Sequence, residues 1–434
     1  MKYKLGIRRE DKNKWEKRTP LIPKHVKSLK EKYNINTIIQ PSKIRIYSNE
    51  EYKRSGAKIK EDLSECKIVL AVKEIPLSFF KEKQTYAFFS HTIKGQKHNI
   101  PMLKKMMEKK CNLIDYEKIS DKSNRRLVFF GRFAGLAGMV DTLWAYGKRL
   151  KKWGIKTEFS NIKKTTEYTD LNHIKKHLIE IAEKIKRNGI NKKFAPMIIG
   201  FAGYGNVSRG AQEIIDILPT KEIHPEKIKT AYIEPSDRCI YKVIFKEENL
   251  VQPKDKNKEF KLQEYYDHPD RYTSVFEKYL PQLDILMNCI YWDERYPRLI
   301  TQKYIKNNYI SDQEFNPKII GDISADIQGA IEITKKTTTP DQPVFIYNPK
   351  EEVIKENLKE DGIAVMAVDN LPCELPIDSS YAFSEKLWPF IPKMMKADFS
   401  KDFEKIDLPH EIKKAVILHK GNLTKRYQYM NNFL

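Results

Sequence analysis

A glycine-rich turn near the middle of the chain constrains the fold more than any other feature. The apolar run 197–201 leads into Gly203-Tyr204-Gly205, and a stretch predicted to be helical, 211–218, follows and stops at Pro219. A strand, a turn with glycines and a helix N-terminus together form a cradle for a pyrophosphate, because the backbone comes close and unpaired N–H groups face the anion. Enough chain precedes the turn to form a domain of its own. The sequence therefore predicts a dinucleotide-binding domain that follows another domain.

The composition predicts a folded protein of two or three domains. Of the 434 residues, 40% are hydrophobic and 11% are aromatic, which is enough apolar surface for sizeable cores. No apolar run approaches the roughly 20 residues that cross a bilayer. The five cysteines are scattered without a disulfide or metal pattern, and the first residues read as a strand rather than a targeting peptide. We expect a cytoplasmic protein without a metal, with the mitochondrial matrix as the alternative compartment.

The net charge of +22 raises the alternative of a non-catalytic protein that binds nucleic acid. The lysines are spread along the whole chain and do not form one basic stripe. We therefore expect neither a nucleic-acid nor a membrane partner, and instead small anionic ligands such as nucleotides and dicarboxylates. The sequence does not indicate an oligomeric state.

Alternating strands and helices predict two Rossmann-like α/β domains with mostly parallel sheets and the active site in the cleft between them. We expect the substrate domain at 1–135, completed by 378–434, and the dinucleotide-binding domain at 136–377. Segment 246–261 is predicted to be a loop. The predicted strands are 4–8, 37–40, 68–72, 86–91, 113–116, 197–201, 241–245, 285–291, 319–323, 344–347 and 363–368. The predicted helices are 23–33, 100–109, 129–153, 171–185, 384–396 and 410–418.

Polar clusters follow the predicted strands of the first domain. Lys73 ends one apolar strand and His91 ends another. Either residue alone would more often be an ordinary surface residue, but on neighbouring strands the two would lie close together and could transfer protons. Burial and a nearby Lys94 would lower the pKa of Lys73, and a histidine titrates near neutral pH. Arg18, after the first strand, can hold a carboxylate through two parallel hydrogen bonds.

Two loops of the second domain are candidates for lining the cofactor site. Asp322 and Asp326 follow one predicted strand, and Asn370 and Leu371 follow another. Ordinary turn chemistry explains such residues equally well.

The glycine turn departs from the dinucleotide fingerprint G-x-G-x-x-G. Ser208 stands in the third glycine position, and Gly210 follows it. The usual acidic residue about 20 positions later, which binds the ribose, cannot be placed. Glu234 and Asp237 lie late for this role, and Arg238 beside them is a candidate partner for a 2′-phosphate.

Many blocks of the chain resemble the lysine-ketoglutarate reductase part of the bifunctional aminoadipate-semialdehyde synthases. That family is related to the lysine-forming saccharopine dehydrogenases and, more distantly, to alanine dehydrogenase and transhydrogenase. The resemblance covers nearly the whole chain. The matching blocks are 6–11, 15–18, 86–94, 113–118, 205–208, 288–301, 322–326 and 369–372.

The resemblance implies an enzyme that condenses L-lysine with 2-oxoglutarate and reduces the resulting imine to saccharopine with a nicotinamide hydride. It implies acid–base roles for Lys73 and His91, and it favours NADPH over NADH. The alternative is an NAD-dependent, lysine-forming saccharopine dehydrogenase. Because the chain ends at Leu434 without a second dehydrogenase domain, we expect a single activity. The other residues implied are Arg18, Glu74, Lys94, Gln96, Glu117 and Arg126 for substrate, and Gly203, Gly205, Asn206, Val207 and Ser208 for the nucleotide.

Overall fold

The computed structural model describes residues 4–233, 235–311 and 313–434. The chain divides into two compact units, Met1–Phe130 together with Pro376–Leu434, and Gly131–Leu375. Within the described residues, each unit contains one eight-stranded sheet in which most neighbouring strands run parallel. The predicted α/β class with two mostly parallel sheets is confirmed.

The first unit begins with six parallel strands. They lie in the order β6-β5-β4-β1-β2-β3, so that β4 has β1 and β5 as its neighbours. Their apolar residues are buried on both faces, as is typical of a parallel sheet covered by helices. These strands are β1 (Lys4–Ile7), β2 (Asn36–Ile39), β3 (Lys58–Ile59), β4 (Ile68–Leu70), β5 (Thr85–Phe88) and β6 (Asn112–Asp115).

Three helices join these strands, and local signals set their ends. They are α1 (Pro23–Tyr33), α2 (Asn49–Arg54) and α3 (Ile100–Glu108). Helix α1 starts with a proline, whose missing N–H is not needed there, and it closes at Asn34, which has a φ of 54°. Helix α2 starts with a capping box in which Ser48 and Glu51 each bind the other's backbone N–H.

The second unit is built on a sheet of order β15-β14-β16-β13-β12-β7-β9-β8, and β10 pairs separately with β11. The outermost strand, β8, is partly exposed and carries Lys221 and Glu222, which is why its sequence lacks an apolar strand pattern. The strands are β7 (Met197–Ala202), β8 (Thr220–Ile223), β9 (Ile240–Phe245), β10 (Val251–Pro253), β11 (Tyr272–Ser274), β12 (Ile285–Asn288), β13 (Ile319–Asp322), β14 (Val344–Asn348), β15 (Val353–Lys355) and β16 (Ile363–Met366).

The helices of the second unit correct two sequence predictions. Helix α6 starts at Asn206 rather than at 211, because Gly205 already ends the turn and serves as the N-cap. The segment 246–261 is not wholly a loop, since it contains α8 and β10. These elements are too short for their apolar residues to show the period of a helix or a strand. The helices are α4 (Gly131–Lys152), α5 (Leu171–Asn188), α6 (Asn206–Ile215), α7 (Ile228–Ile233), α8 (Glu247–Leu250), α9 (Leu262–Asp267) and α10 (Gln302–Asn308).

The C-terminal segment completes the first unit with α11 (Pro376–Leu387), α12 (Ile391–Lys396), α13 (His410–Lys413), β17 (Val416–His419) and β18 (Asn422–Leu423). The predicted helix 410–418 is wrong beyond Lys413, because its apolar end forms β17 and pairs antiparallel with β6. A short apolar run does not distinguish a strand from a helix. Among the described residues, no helix is both long and apolar enough to span a membrane.

Candidate active site and nucleotide site

Lys73 and His91 leave neighbouring strands of the first unit at the same edge of its sheet. Lys73 follows β4 and His91 follows β5, and these strands pair in parallel with Leu70 opposite Ala87. Beyond them, the N–H of Phe89 donates to the carbonyl of Val72 at 3.1 Å, so that the two chains stay together past the strand ends. The structure therefore brings together the two residues that the sequence singled out for proton transfer.

Glu74 links His91 to a cation from the loop after β1. Its Oε1 lies 2.6 Å from Nδ1 of His91, and its Oε2 accepts a hydrogen bond from Nζ of Lys12 at 2.9 Å. Burial raises the pKa of Glu74, but the hydrogen bond and charge of His91 and the charge of Lys12 outweigh burial and hold it well below its usual range. An ionised Glu74 favours the imidazole tautomer with its proton on Nδ1, which leaves Nε2 of His91 for proton exchange.

The backbone of His91 adopts a conformation that is rare for a residue with a side chain. Its φ is 48°, in the left-handed region. Its carbonyl accepts a hydrogen bond from Nδ2 of Asn99 at 3.1 Å, and its ring stacks on Phe89 with centroids 6.1 Å apart. Such strain persists only where the surroundings hold it, and it is typical of functional sites.

The buried carboxylate of Glu10 fixes the backbone at Lys73. Its two oxygens accept hydrogen bonds from the N–H groups of Val72 at 2.6 Å and of Lys73 at 3.0 Å. Burial, and to a smaller extent the nearby Glu16, raise the pKa of Glu10 to about 7, although the two N–H groups act in the opposite direction. Glu10 thereby holds the end of β4 in one geometry.

Asp115 fixes the backbone next to His91, past the end of β5, as Glu10 does past the end of β4. It accepts hydrogen bonds from the N–H of Ser90 at 3.2 Å and, through its other oxygen, from the N–H of Glu117 at 2.8 Å. The hydroxyl of Ser90 also donates to it. Burial raises the pKa of Asp115. The residue before His91 and the predicted site residue Glu117 are thus tied to one buried carboxyl group.

Arg18 is buried, and its guanidinium faces Glu16. Nε and Nη2 of Arg18 donate to the two carboxylate oxygens of Glu16 at 2.7 and 2.5 Å, and the guanidinium carbon lies 4.2 Å from the ring centre of Phe130. Both charged side chains are almost fully removed from solvent. The guanidinium donors of Arg18 that the sequence assigned to a substrate carboxylate therefore bind Glu16 within the protein. Substrate binding by Arg18 stays a prediction.

Arg18 also lies close enough to affect Lys73. Burial lowers the pKa of Lys73, Arg18 lowers it further, and Glu16 and Glu74 oppose them. The sequence assigned this effect to Lys94. The cation with the largest effect is Arg18, whereas Lys94 is exposed, and an effect of Lys94 stays a prediction.

The remaining predicted substrate residues lie on two loops of the first unit. The N–H of Lys94 donates to Oε1 of Gln96 at 3.3 Å, within a loop against which Phe433 packs at Gly95. Nη1 of Arg126 lies 3.9 Å from Oε1 of Glu117, and Arg126 is largely exposed. These contacts leave the substrate roles of the four residues as predictions.

The glycine turn of the second unit has the form that a pyrophosphate requires. Gly203 has a φ of 92°, a conformation that favours glycine. A Cβ on Gly205 would meet nothing within 4 Å, so that the space before the helix is open. No side chain among the described residues caps α6, whose first N–H groups, on Asn206, Val207 and Ser208, have no partner within the helix. The residues present therefore fit a dinucleotide phosphate.

The departure from the glycine fingerprint has a packing explanation. The third glycine normally allows the helix to approach its neighbour closely. Here Ser208 is buried and accepts a hydrogen bond from Gln212 at 2.9 Å, while Gly210 provides the close approach. A Cβ on Gly210 would lie 2.1 Å from the carbonyl oxygen of Arg132, and one on Gly135 would lie 1.9 Å from that of Val207. Two glycines thus let α4 and α6 pack backbone against backbone.

Asp322 lies at the nucleotide edge of the second sheet, but its carboxylate is used within the protein. It accepts hydrogen bonds from Nδ2 of Asn288 at 2.8 Å and from the hydroxyl of Thr334 at 2.6 Å. Burial raises the pKa of Asp322 to about 6. Its geometry supports a role in shaping the loop rather than a direct contact with a ligand.

The other predicted loop residues lie at the same edge of the sheet. Asp326 follows β13, and its carbonyl accepts a hydrogen bond from the N–H of Gly329 at 2.9 Å. Asn370 and Leu371 follow β16, which pairs in parallel with β13. The side chain of Leu371 is buried near Gly138 of α4, so that only backbone groups of Leu371 remain for a ligand.

Arg238 does not lie near the glycine turn. It precedes β9, which runs parallel to β7 with Met197 opposite Ile240, so that Arg238 stands at the amino end of the sheet and the turn at the carboxyl end. Its Nη1 donates to the carbonyls of Lys186 and Arg187 at the end of α5. The prediction that Arg238 binds a 2′-phosphate is wrong. The register excludes Asp237 for the same reason, and Glu234 lies outside the described residues.

Comparison with known protein families matches both parts of the chain. The model "Alanine dehydrogenase/PNT, N-terminal domain" matches residues 6–137, and the model "Alanine dehydrogenase/PNT, C-terminal domain" matches residues 252–426. The chain belongs to the alanine dehydrogenase/PNT family. The fold agrees, since a solved L-alanine dehydrogenase superposes with a TM-score of 0.62 over 99% of this chain and 100% of that one, at 14% identity.

Relatives of this family member fall into two groups. The alpha-aminoadipic semialdehyde synthase of Arabidopsis thaliana is 35% identical over 98% of the chain, but the match covers 41% of that protein. The chain thus spans less than half the length of that relative. A "Saccharopine dehydrogenase [NAD(+), L-lysine-forming]" of Yarrowia lipolytica is 26% identical, and the match covers 91% of the chain and 93% of the relative. Mammalian synthases that match are named as mitochondrial.

Sequence reasoning missed several residues that build the site of this alanine dehydrogenase/PNT family member. Glu10, Glu16 and Asp115 are buried carboxyl groups next to strand ends, where an acid in an apolar setting is itself a signal.

Proposed function

We propose that this protein is a lysine-ketoglutarate reductase, which joins the ε-amine of L-lysine to the keto carbon of 2-oxoglutarate and reduces the imine to saccharopine. The observation that carries the proposal is the pairing of Lys73 and His91 at one edge of the first sheet. The names of the relatives, which include aminoadipic semialdehyde synthase and saccharopine dehydrogenase, supply the substrates.

The reaction needs protons moved at two substrate atoms. The ε-amine loses a proton before its nitrogen attacks the keto carbon, and the hydroxyl of the adduct gains one before it leaves as water. Lys73 suits this exchange because burial and Arg18 lower its pKa, so that its ammonium group gives up a proton more readily than that of an exposed lysine. His91 suits the second position through Nε2, since Glu74 holds Nδ1.

The substrates carry carboxylates, and the first unit offers cations for them. Lys12, Lys94 and Arg126 are all substantially exposed. Their charge would attract dicarboxylates and orient them, and Glu74 and Glu117 would limit this attraction by pairing with Lys12 and Arg126. Substrate contacts by these five residues are part of the proposal.

The second unit would hold the nicotinamide dinucleotide through Gly203, Gly205 and the first turn of α6. When bound, the nucleotide supplies the hydride that reduces the imine carbon. Gly203 lets the backbone approach the phosphates, and the N–H groups of Asn206 to Ser208 would donate to them. Asp326 and Asn370 are proposed to line the same site.

The test is the oxidation of reduced nicotinamide by the purified chain with lysine and 2-oxoglutarate. Oxidation should need both substrates, and mass spectrometry should detect saccharopine. Lys73→Met and His91→Gln should each lower turnover by about 10²-fold or more, the usual scale for acid–base groups. The exposed Lys104→Met and His98→Gln are matched controls that should keep wild-type rates. Wild-type turnover in the Lys73 and His91 variants would sink the assignment.

A second candidate is a lysine-forming saccharopine dehydrogenase that uses the same groups in reverse. The relative from Yarrowia lipolytica favours it, because the match covers most of both chains. Initial rates with saccharopine and the oxidised nucleotide, compared with the condensing direction at the same pH, distinguish the two. A non-catalytic protein that binds nucleic acid predicts no rate in either direction.

The compartment stays a prediction. We place the activity in the cytoplasm, with the mitochondrial matrix as the alternative that the mammalian relatives suggest. Imaging of the tagged protein in its own cells would decide between them.

A further inference from the structure

The strand beside the pyrophosphate turn is β9, not the strand that follows α6 in sequence. β7 carries the turn, and its neighbours are β12 and β9, while β8 forms the outer edge. The N–H of Gly203 donates to the carbonyl of Phe245, the last residue of β9, at 2.9 Å. In folds of this class, the residue at the carboxyl end of the strand next to the turn reads the adenosine ribose.

Glu247 occupies that position. It comes two residues after the end of β9, and its side chain is half-buried. The hydroxyl of Tyr266 donates to its Oε1 at 2.7 Å, which fixes the carboxylate. Burial and the charge of Glu247 together raise the pKa of Tyr204, which lies inside the glycine turn itself. The carboxylate therefore lies at the turn in space, although 40 residues or more separate the two in sequence.

A carboxylate at this place distinguishes the two nicotinamide dinucleotides. It can accept hydrogen bonds from both hydroxyls of an unmodified ribose, and it repels a 2′-phosphate, which carries −1.5 to −2 charges at pH 7. The positive charge of Lys246, next to Glu247 in sequence, would instead attract a 2′-phosphate. Its side chain is exposed, however, whereas Glu247 is half-buried and held by Tyr266, so that the fixed negative charge has the larger effect.

We propose that Glu247 selects NAD(H) over NADP(H) in this protein. The inference rests on the proposed function only in so far as a nicotinamide dinucleotide binds at the glycine turn, and it does not depend on lysine or 2-oxoglutarate. It reverses the sequence-based preference for NADPH, whose residue-level support was Arg238, a residue at the other end of the sheet.

The experiment is a direct measurement of NADH and NADPH binding to the full chain by titration calorimetry, without substrates. The wild-type protein should bind NADH at least tenfold more tightly than NADPH. Glu247→Gln, which keeps the shape and removes the charge, should weaken NADH and strengthen NADPH, each about tenfold. Glu247→Asp should keep the NADH preference. Glu180→Gln, an exposed matched control on α5, should change neither dissociation constant.

Three results would overturn the inference: tighter binding of NADPH by the wild type, an unchanged ratio in Glu247→Gln, or loss of NADPH binding in Lys246→Ser with Glu247 intact. Circular dichroism of each variant separates a changed site from a misfolded one, and the Asp variant repeats the test if the Gln variant fails to fold. NADH binding with the expected ratio but no turnover with lysine and 2-oxoglutarate would leave Glu247 assigned and reject the proposed reaction. Binding of neither dinucleotide would reject both.

Discussion

The backbone position of Lys73 depends on a buried carboxyl group, Glu10. Glu10 accepts two backbone hydrogen bonds at the end of β4, and Glu16 and Arg18 form a buried pair next to Lys73. A buried pair of this kind contributes little net stability, because both charges lose their hydration. Its effect on the pKa of Lys73 is the reason we give it a functional rather than a stabilising role.

Glu10→Gln tests whether the backbone at Lys73 must be fixed. A glutamine has a carbonyl oxygen and an NH₂ group in place of the two carboxylate oxygens. It can accept a hydrogen bond from one of the two backbone N–H groups, but its NH₂ group would face the other N–H, and that hydrogen bond is lost. We expect about a tenfold fall in kcat with a smaller change in KM, and a shifted limb in the pH profile of kcat/KM, since Lys73 would move relative to Arg18. The exposed Glu82→Gln is the control. A loss of thermal stability with an unshifted pH profile would contradict the positioning role.

At the scale of elements, two glycines decide how α6 is placed. Gly210 and Gly135 let the backbones of α4 and α6 touch, whereas Gly205 faces open space at the front of the helix. The two kinds of glycine therefore have separable functions, one in packing and one in leaving room for a ligand.

Gly210→Ala should lower the free energy of unfolding by about 1–3 kcal/mol or more, because its Cβ would collide with the carbonyl of Arg132. Gly205→Ala should lower the free energy of unfolding by only about 1 kcal/mol or less, since alanine is a poorer N-cap than glycine but meets no atom there, and should weaken dinucleotide binding by about tenfold or more. Urea unfolding and nucleotide titration of both variants check the pair. A stable Gly210→Ala with full nucleotide affinity would show that α4 and α6 tolerate separation.

The sequence predicted the buried strands and longer helices well because their apolar periods are strong. It predicted that Lys73 and His91 follow neighbouring strands, and it predicted a strand, a glycine turn and a helix in the second unit. It failed where pairing decides the outcome: β17 becomes a strand because β6 offers an edge, and β8 is a strand despite exposed Lys221 and Glu222. The sequence could not predict that Glu247 lies near the glycine turn, since only the strand order shows that β9 adjoins β7.

On the scale of the whole molecule, buried carboxyl groups with raised pKa values occur in both units. Glu10 in the first unit and Asp284 in the second each have a pKa raised to about 7, in both cases mainly by burial. Each unit therefore contains a group whose protonation changes in the physiological range.

Asp284 gives the clearest test, because it lies at the amino end of β12, whereas the glycine turn lies at the carboxyl end of the same sheet. Its Oδ2 accepts a hydrogen bond from the N–H of Ile198 at 2.9 Å, and its pKa rises from 3.8 to about 7. A carboxyl group whose folded pKa exceeds its unfolded pKa binds more protons when folded, so that its stabilising contribution is present at low pH and is lost as pH rises from about 4 to about 7.

Asp284→Asn keeps an acceptor for Ile198 and cannot ionise. The free energy of unfolding of the variant relative to wild type should therefore rise by about 2 kcal/mol or more between pH 5 and pH 8, most of it before pH 7, while the exposed Glu259→Gln should track wild type. Urea unfolding at four pH values measures the difference, and parallel curves for Asp284→Asn and wild type would mean that Asp284 is already ionised in the folded protein at pH 5.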